Sequence, residues 1–419
     1  MQNHIQNETK SELYDKFINN NSINPDLFDK YNVKRGLRNA DGTGVMAGIT
    51  NICNVHGYIV NEGEKQPIDG ELIYRGYNIN DLVSNVFMEK RFGFEEIIYL
   101  LIMGELPSKD KLDNFIEYLN DSRELPERFF EDVILKAPSS NIMNNLARSV
   151  LALYTYDEAP ENLTPERELQ IAISLISRLP VIMVGAYQVK KRHFDQKSMV
   201  VHQLRTNESI AESILSTLRS NRKYTPEEAH LLDLMLMLHA EHGGGNNSTF
   251  TCRVLTSSGT DPYSAYAAAI GSLKGPKHGG ANLKVMEMLE YIKENVSNWS
   301  DEIEVADYMR KLLNKESGDK SGLIYGMGHA VYTVSDPRAV ILKKHAMEMA
   351  VNTPFEAEFK LLQTVEKLTP ELFAEVKGDI KTVCANVDMY SGLVYKMLGI
   401  PSELFTPLFA VSRMSGWCA

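Results

Sequence analysis

The 419-residue sequence is short of cysteine, of positive charge, of long apolar runs and of strand-forming stretches. Its four cysteines, Cys53, Cys252, Cys384 and Cys418, stand far apart and form no C-x-x-C pair. That spacing argues against a zinc knuckle or a disulfide framework and leads us to expect a cytoplasmic, reducing location. Lys plus Arg number 44 against 55 Asp plus Glu, a formal net charge of −11. A net negative surface disfavours nucleic acid or an anionic membrane as partner, since both need a positive footprint. An anionic substrate would therefore need Arg and His gathered locally. The opening MQNHIQNETKSELYDKF lacks the apolar stretch of a signal peptide. The apolar run Ile97–Met103 is far below the roughly 18–20 residues that cross a bilayer. There is no G-x-S-x-G, no P-loop, no EF-hand loop and no plausible metal cluster.

What is present is material for a large core. With 43% hydrophobic and 24% charged residues the chain is globular in composition, and its length suggests two or three domains. Seven prolines follow Thr or Asp: Pro165, Pro226, Pro262, Pro337, Pro354, Pro370 and Pro407. Thr or Asp at the N-cap with Pro next is a helix-start signal, because the side chain accepts an orphan N–H and Pro presets φ. Thr225-Pro226-Glu227-Glu228 and Thr353-Pro354-Phe355-Glu356 also spell capping boxes. Helical patterns are expected over Pro165–Leu179, Glu208–Arg219, Pro226–His242, Pro262–Leu273, Asn282–Asn295, Ile303–Leu313 and Pro337–Ala350. Strand signals are confined to Val45–Ile52, Val55–Val60 and Glu71–Tyr74, read as a small hairpin near the N-terminus. The fold class is mainly α. Segments apolar all round, such as Leu231–Leu238, point to stacked layers or a subunit interface.

Four of the ten histidines lie beside glycine-rich breaks, where backbone can approach a ligand. His239 and His242 close a helix in HAEHGGGN. A metal reading is weak, since Glu241 is at the wrong offset for H-E-x-x-H. An imidazolium binding an anion at the helix C-terminus suits the dipole, and a capped helix end is the plainer alternative. His278, in GPKHGGAN, precedes a helix, where the dipole keeps the ring neutral and able to donate to a developing enolate oxygen. A tight turn is the competing reading. In GMGHAVY, Gly326 and Gly328 start a G-x-G that Val331 interrupts, so a dinucleotide site is a poor reading for His329. Arg338, in SDPR, falls in the first turn of a helix and could hold a carboxylate, or be a solvated surface residue. Asp388, in VCANVDMYSG, should be desolvated towards useful base strength, or simply cap a helix. Arg413 in FAVSRMSGW needs a charged partner or ligand.

Taken in order, HAEHGGGNNSTF, DPYSAYAAAIGSLKGPKHGGAN, GMGHAVYTVSDPRA, NVDMYSG and VSRMSGW resemble the citrate synthase family, and the resemblance runs upstream through GLRNADGTGV, ELIYRGYNI and FEEIIYLLIMGELPS. It implies the citrate synthase fold: a large multi-layer helical domain from residues 1–279 and 399–419, and a smaller inserted helical domain over 280–398. It implies a homodimer, an acyltransferase of the tricarboxylic acid cycle, acetyl-CoA as co-substrate and no tightly bound cofactor. By motif match, Asp388 would take a methyl proton from acetyl-CoA, His278 would hydrogen-bond the thioester oxygen, and His329 would polarise the oxaloacetate carbonyl. His242, Arg338 and Arg413 would clamp its carboxylates, and main chain near Gly326 and Gly328 would meet CoA. Two positions depart from the pattern. Thr333 stands where many members carry a basic residue near the CoA phosphates. No Arg follows Arg413, although members usually continue with a tail whose Arg reaches the partner's oxaloacetate, so the sequence ending at Ala419 is expected to stop short of that tail. The nearest alternative is 2-methylcitrate synthase, acting on propionyl-CoA. A non-catalytic family member binding metabolites is the alternative from another class.

Overall fold

In the computed structural model, four of the seven helix starts written into the sequence are used, three of them with the expected side-chain cap, from Thr225, Asp261 and Asp336. Residues 26, 30, 48–61, 64–276, 278–378 and 383–419 are described. The chain separates into two units, Met1–Ile49 and Thr50–Ala419, and everything below concerns the second. It opens with an antiparallel sheet of β1 (Cys53–Asn61), β2 (Glu64–Tyr74) and β3 (Tyr77–Asn78). Cys53 pairs with Tyr74 and Asn61 with Glu64, with an irregularity between His56 and Tyr58. Fifteen α-helices follow among the described residues: α1 (Ile79–Glu89), α2 (Phe94–Met103), α3 (Lys109–Asp121), α4 (Ile142–Leu153), α5 (Pro165–His193), α6 (Ile210–Leu218), α7 (Pro226–His239), α8 (Asn247–Thr256), α9 (Pro262–Leu273), α10 (Ala281–Asn295), α11 (Glu302–Leu313), α12 (Pro337–Ala350), α13 (Glu356–Lys377), α14 (Asp388–Met397) and α15 (Phe405–Cys418). A mainly α fold with one small sheet is what the sequence led us to expect.

Pro165, Pro226, Pro262 and Pro337 each begin a helix, and Thr225 closes its capping box with Glu228. Three of the seven signals behave otherwise. Glu356 bonds to the Asn352 N–H and Thr353 to the Phe355 N–H, so the second box does not form and α13 starts at Glu356. Pro370 lies inside α13, where Thr369 turns its hydroxyl back onto the Val365 carbonyl. Pro407 is the third residue of α15. At Pro370 and Pro407 the surrounding helices pack along a continuous helix, whereas at Thr353-Pro354 other local bonds take the capping groups. The Pro165 helix also runs on through Pro180 to His193. It is long and apolar enough to cross a membrane, yet 72% of its most apolar window is buried inside the protein. Of the expected strand Val45–Ile52, the part before Gly48 lies outside the described residues, and the remainder is not strand.

The site depends on α15. Every residue from Phe405 to Trp417 is buried, and the helix packs against α2, α5, α7 and α9. Helices α10 to α14 pack among themselves, α11 on α13, and α10, α12 and α13 on α14. Buried carboxylates tie distant segments to helix starts. Asp233, on α7, accepts the Gly93 and Phe94 N–H groups at 2.7 and 3.2 Å, where α2 has no cap of its own. Glu95 accepts the Ile210 N–H at 2.6 Å, at the first residue of α6. Replacing Asp233 by Ala would leave two buried donors unpaired, so we expect a loss of about 2–3 kcal/mol in urea unfolding. Unchanged stability would contradict this account of the α2 start.

Candidate active site

Three loops and three helices bring the candidate residues together, with Arg338 in the first turn of α12 and Asp388 at the start of α14. The turn after α7 presents His242, the turn before α10 presents His278, the loop before α12 carries His329, and α15 carries Arg413. Rings of His242 and His329 meet edge to face at 5.1 Å. Arg413 acts electrostatically on His242, His278 and Asp388, and Arg338 on His242 and Asp388. All six substrate-facing residues expected from the motifs therefore converge.

Both arginines are buried. Arg338 is 4% exposed, not a solvated surface residue, and grips Asp336 with two bonds, Nε at 3.0 Å and Nη2 at 2.7 Å. Arg413 is 1% exposed; its Nε donates to the His239 carbonyl at 2.7 Å and its guanidinium lies 4.7 Å over the Phe409 ring. Its Nη2 is buried with no hydrogen-bond partner, and the same holds for Nε2 of His242. Orphaned polar atoms on mutually interacting side chains mark a place for a ligand.

The protonation states follow from this charge. His242 is held far below the usual imidazole range by burial, then by Arg338, His329 and Arg413. The sequence suggested an imidazolium here; burial and two guanidinium groups outweigh the helix dipole, and the ring is neutral. His278 is pushed down to about 4 by burial and Arg413. Its Nε2 accepts the Ser248 N–H at 3.3 Å and contacts the Ser248 hydroxyl at 2.8 Å, which in turn takes a bond from Trp417 Nε1 at 3.3 Å. A backbone N–H can only donate, so the His278 proton sits on Nδ1. For His329 the pattern is inverted: Nδ1 accepts the N–H groups of Val331 and Tyr332 at 3.0 and 3.1 Å, which leaves the proton on Nε2.

Asp388 is the first residue of α14, so its side chain is not the cap; its own N–H is held by Asn386 Oδ1 at 3.0 Å. Burial raises its carboxyl to about 6, with Arg338 and Arg413 opposing the rise and Asp336 adding to it. Asn386 also binds the loop of His329, through its N–H to the Gly326 carbonyl and its amide to the Gly328 carbonyl, both at 2.9 Å. Gly326 has φ +81° and Gly328 φ +92°, a region that favours glycine. A Cβ on Gly326 would come within 2.8 Å of the Met389 backbone. These glycines thus join the His329 loop to the segment leading into Asp388.

Sequence reasoning weighed His239 with His242 as a weak metal or anion site, set Glu241 aside as a carboxylate at the wrong offset, and passed over Tyr332. His239 is 1% exposed with both ring nitrogens unpartnered, against Phe409 at 4.5 Å. Glu241 is 2% exposed; burial raises its carboxyl, Arg413 opposes this, and Gly416 leaves room for it on α15. The available signal was a carboxylate closing the apolar run LMLMLHAEHGGG. Among the described residues no three of His, Cys, Asp and Glu come together to hold a metal.

The neutral state of His278 is open to measurement. Nitrogen-15 NMR of labelled protein should follow this ring titrating near 4, and a midpoint near 6.5 would refute the burial argument. The linkage has a definite sign: between pH 6.5 and about 4 the unfolded state binds a proton that the native ring does not, so acid destabilises the fold through this group.

The chain is similar to known proteins along most of its length. A family model described as "Citrate synthase, C-terminal domain" matches residues 39–419. A citrate synthase of Synechocystis sp. is 34% identical over 84% of this chain and 81% of its own length. A 2-methylcitrate synthase of Corynebacterium glutamicum is 31% identical over 92% and 90%. The ternary complex of carboxymethyl coenzyme A and oxaloacetate with citrate synthase from Thermoplasma acidophilum superposes with a TM-score of 0.71 at 26% identity, covering 89% of this chain and 88% of that one. With its family model matched from residue 39 to the last residue, this chain belongs to the citrate synthase family, a family of acyltransferases.

Proposed function

We propose that this chain condenses acetyl-CoA with oxaloacetate and hydrolyses the resulting citryl-CoA to citrate and CoA. The observation that carries this reading is the set of protonation states: a His278 Nδ1–H donor, a His329 Nε2–H donor and an enclosed carboxyl near 6, set around two buried guanidinium groups. That is the equipment for enolising a thioester and adding the enol to a ketone.

A thioester α-carbon is a very weak acid, so Asp388 alone is an insufficient base. Its carboxylate takes the methyl proton while the Nδ1 proton of His278 passes to the thioester oxygen, giving a neutral enol. One such preorganised donor contributes roughly 2.7–4 kcal/mol at a developing oxyanion. The enol carbon then forms a bond to the keto carbon of oxaloacetate as the enol proton returns to His278 Nδ1, and the resulting alkoxide takes the Nε2 proton of His329. His242, Arg338 and Arg413 hold the two carboxylates, aligning ketone and enol so that proximity supplies further rate. Water finally attacks the thioester carbonyl, giving one proton to Nε2 of His329, and CoA departs as the thiol with the proton held by Asp388. Gly326 and Gly328 lie in the loop proposed to meet CoA, beside the exposed Leu323.

Three further parts of the reading are proposals. Residues 280–398 act as a smaller domain that closes on the remainder (1–279 and 399–419) and excludes water until condensation is complete. The chain works as a homodimer, which would cover apolar side chains left exposed on α4 and α8, Leu151 and Val254 among them. It works in the cytoplasm, a setting suited to four unpaired thiols.

Asp388→Ala should abolish thiol release from acetyl-CoA plus oxaloacetate while leaving oxaloacetate affinity within a few-fold. Loss of binding in step with loss of rate would refute the base assignment. In the unaltered enzyme kcat/KM for acetyl-CoA should fall tenfold per pH unit below about 6, as Asp388 becomes protonated, and level off above it. The second reading, propionyl-CoA as acyl donor, is favoured by the 2-methylcitrate synthase relative. One methylene changes binding in an apolar pocket by about 1–3 kcal/mol. We expect the larger kcat/KM for acetyl-CoA; a clear preference for propionyl-CoA would reverse that choice, and no thiol release with either would leave a metabolite-binding role.

A further inference from the structure

We propose that Tyr332 is a positioning residue for His329, through which strand β2 holds that histidine in register with the substrate carbonyl. The inference rests on the reading of His329 given above. Tyr332 touches His329 twice. Its N–H donates to His329 Nδ1 at 3.1 Å, and its ring stacks on the imidazole with centroids 4.6 Å apart and planes 27° from parallel. The ring edge also meets His242 at 5.6 Å. From the far side the Tyr332 hydroxyl donates to the Glu71 carbonyl of β2 at 3.1 Å, and the Cys384 thiol, in the segment before Asp388, approaches the Tyr332 carbonyl at 3.6 Å.

The sheet is fitted to this loop. A Cβ on Gly70 would fall 2.1 Å from the Ser335 carbonyl oxygen and 2.6 Å from the Tyr332 ring, and one on Gly57 would fall 2.5 Å from the Val331 carbonyl oxygen. Ser335 Oγ accepts the Gly70 N–H at 3.1 Å and donates to Asp69 at 3.0 Å. Two backbone N–H groups anchor Nδ1 of His329 at one point of its ring. The stacked Tyr332 ring, only 1% exposed and tied to β2, bears on the tilt of the ring plane about that anchor. The direction of the Nε2–H, and hence its aim at a keto oxygen, is then set by a strand remote in sequence. Positioning of this kind matters because a misplacement of about 1 Å can cost 10²-fold in rate.

The test compares Tyr332→Phe and Tyr332→Ala, reading kcat, KM and the carbon-13 shift of the keto carbon of bound oxaloacetate, which reports carbonyl polarisation. Phe keeps the stack and loses the Glu71 bond, so kcat should fall about fivefold with little change in KM. Ala should lower kcat about 10²-fold and move the keto-carbon shift towards that of free oxaloacetate while the ligand stays bound. Leu312→Ala, at a buried site on α11, should lower stability without moving the shift. A folded Tyr332→Ala with native kcat and native shift overturns the proposal, and so does a Leu312→Ala that moves the shift equally. Should Tyr332→Ala fail to fold, Gly70→Ala, which presses on the Tyr332 ring, is read in the same way. His329→Ala separates the two levels. If it retains full activity, the functional reading fails; if it is inactive while Tyr332→Ala is native, only the positioning role fails.

Discussion

Two guanidinium groups sealed inside a protein of net charge −11 are the constraint on which the rest of the site depends. Arginine does not shed its proton, so the interior must answer the charge by other means. For Arg338 the answer is local, a two-bond pairing with the buried carboxylate of Asp336. Arg413 has the His239 carbonyl, the face of Phe409 and, at longer range, Glu241. Burial, joined by the positive potential that remains, holds His239, His242 and His278 in their neutral forms, and that potential limits the rise of Asp388. A set of uncharged hydrogen-bond donors, beside a carboxyl poised to ionise, is the consequence. The local basic site that an acidic chain would need for an anionic substrate is thus made by arginine alone, with histidine contributing neutral donors.

The second constraint is mechanical. His278 and His329 receive opposite tautomers from backbone N–H groups, Ser248 on one and Val331 with Tyr332 on the other. Backbone donors cannot reverse their role, so the proton positions persist as long as the loops do. The loops persist because they are held from several directions. Asn386 fastens the His329 loop to Asp388, Ser248 is held by Trp417 from α15, and the sheet lies directly against residues 331–335.

Much of this was legible in the sequence, for reasons that differ by residue. Helices opening on Thr-Pro or Asp-Pro were readable because a cap is a local bond, and Pro226, Pro262 and Pro337 begin their helices as written. Pro370 was misread because a dipeptide cannot announce that α14 and α11 will pack alongside and hold the helix continuous. Glycine-rich breaks led to His242, His278 and His329, since such turns expose side chains. The charge on His242 was misjudged, because the dipole is a local property while the arginines that oppose it lie about 100 and 170 residues later in the chain. Glu241, His239 and Tyr332 lie inside motifs whose pattern was read for His242 and His329. What they do is set by α15 and β2, and contacts of that range leave no local trace.

The central claim is that buried, incompletely paired guanidinium charge waits for a dianion. Calorimetric titration tests it most directly, comparing oxaloacetate with a 2-oxo acid that lacks the second carboxylate, on the native chain and on Arg413→Met. The account predicts that the dianion binds the native chain about 10–100-fold more tightly, a range set by charge-assisted hydrogen bonds, and that the advantage disappears in the variant. Equal affinity for the two ligands on the native chain, or an advantage that survives the loss of Arg413, would contradict it.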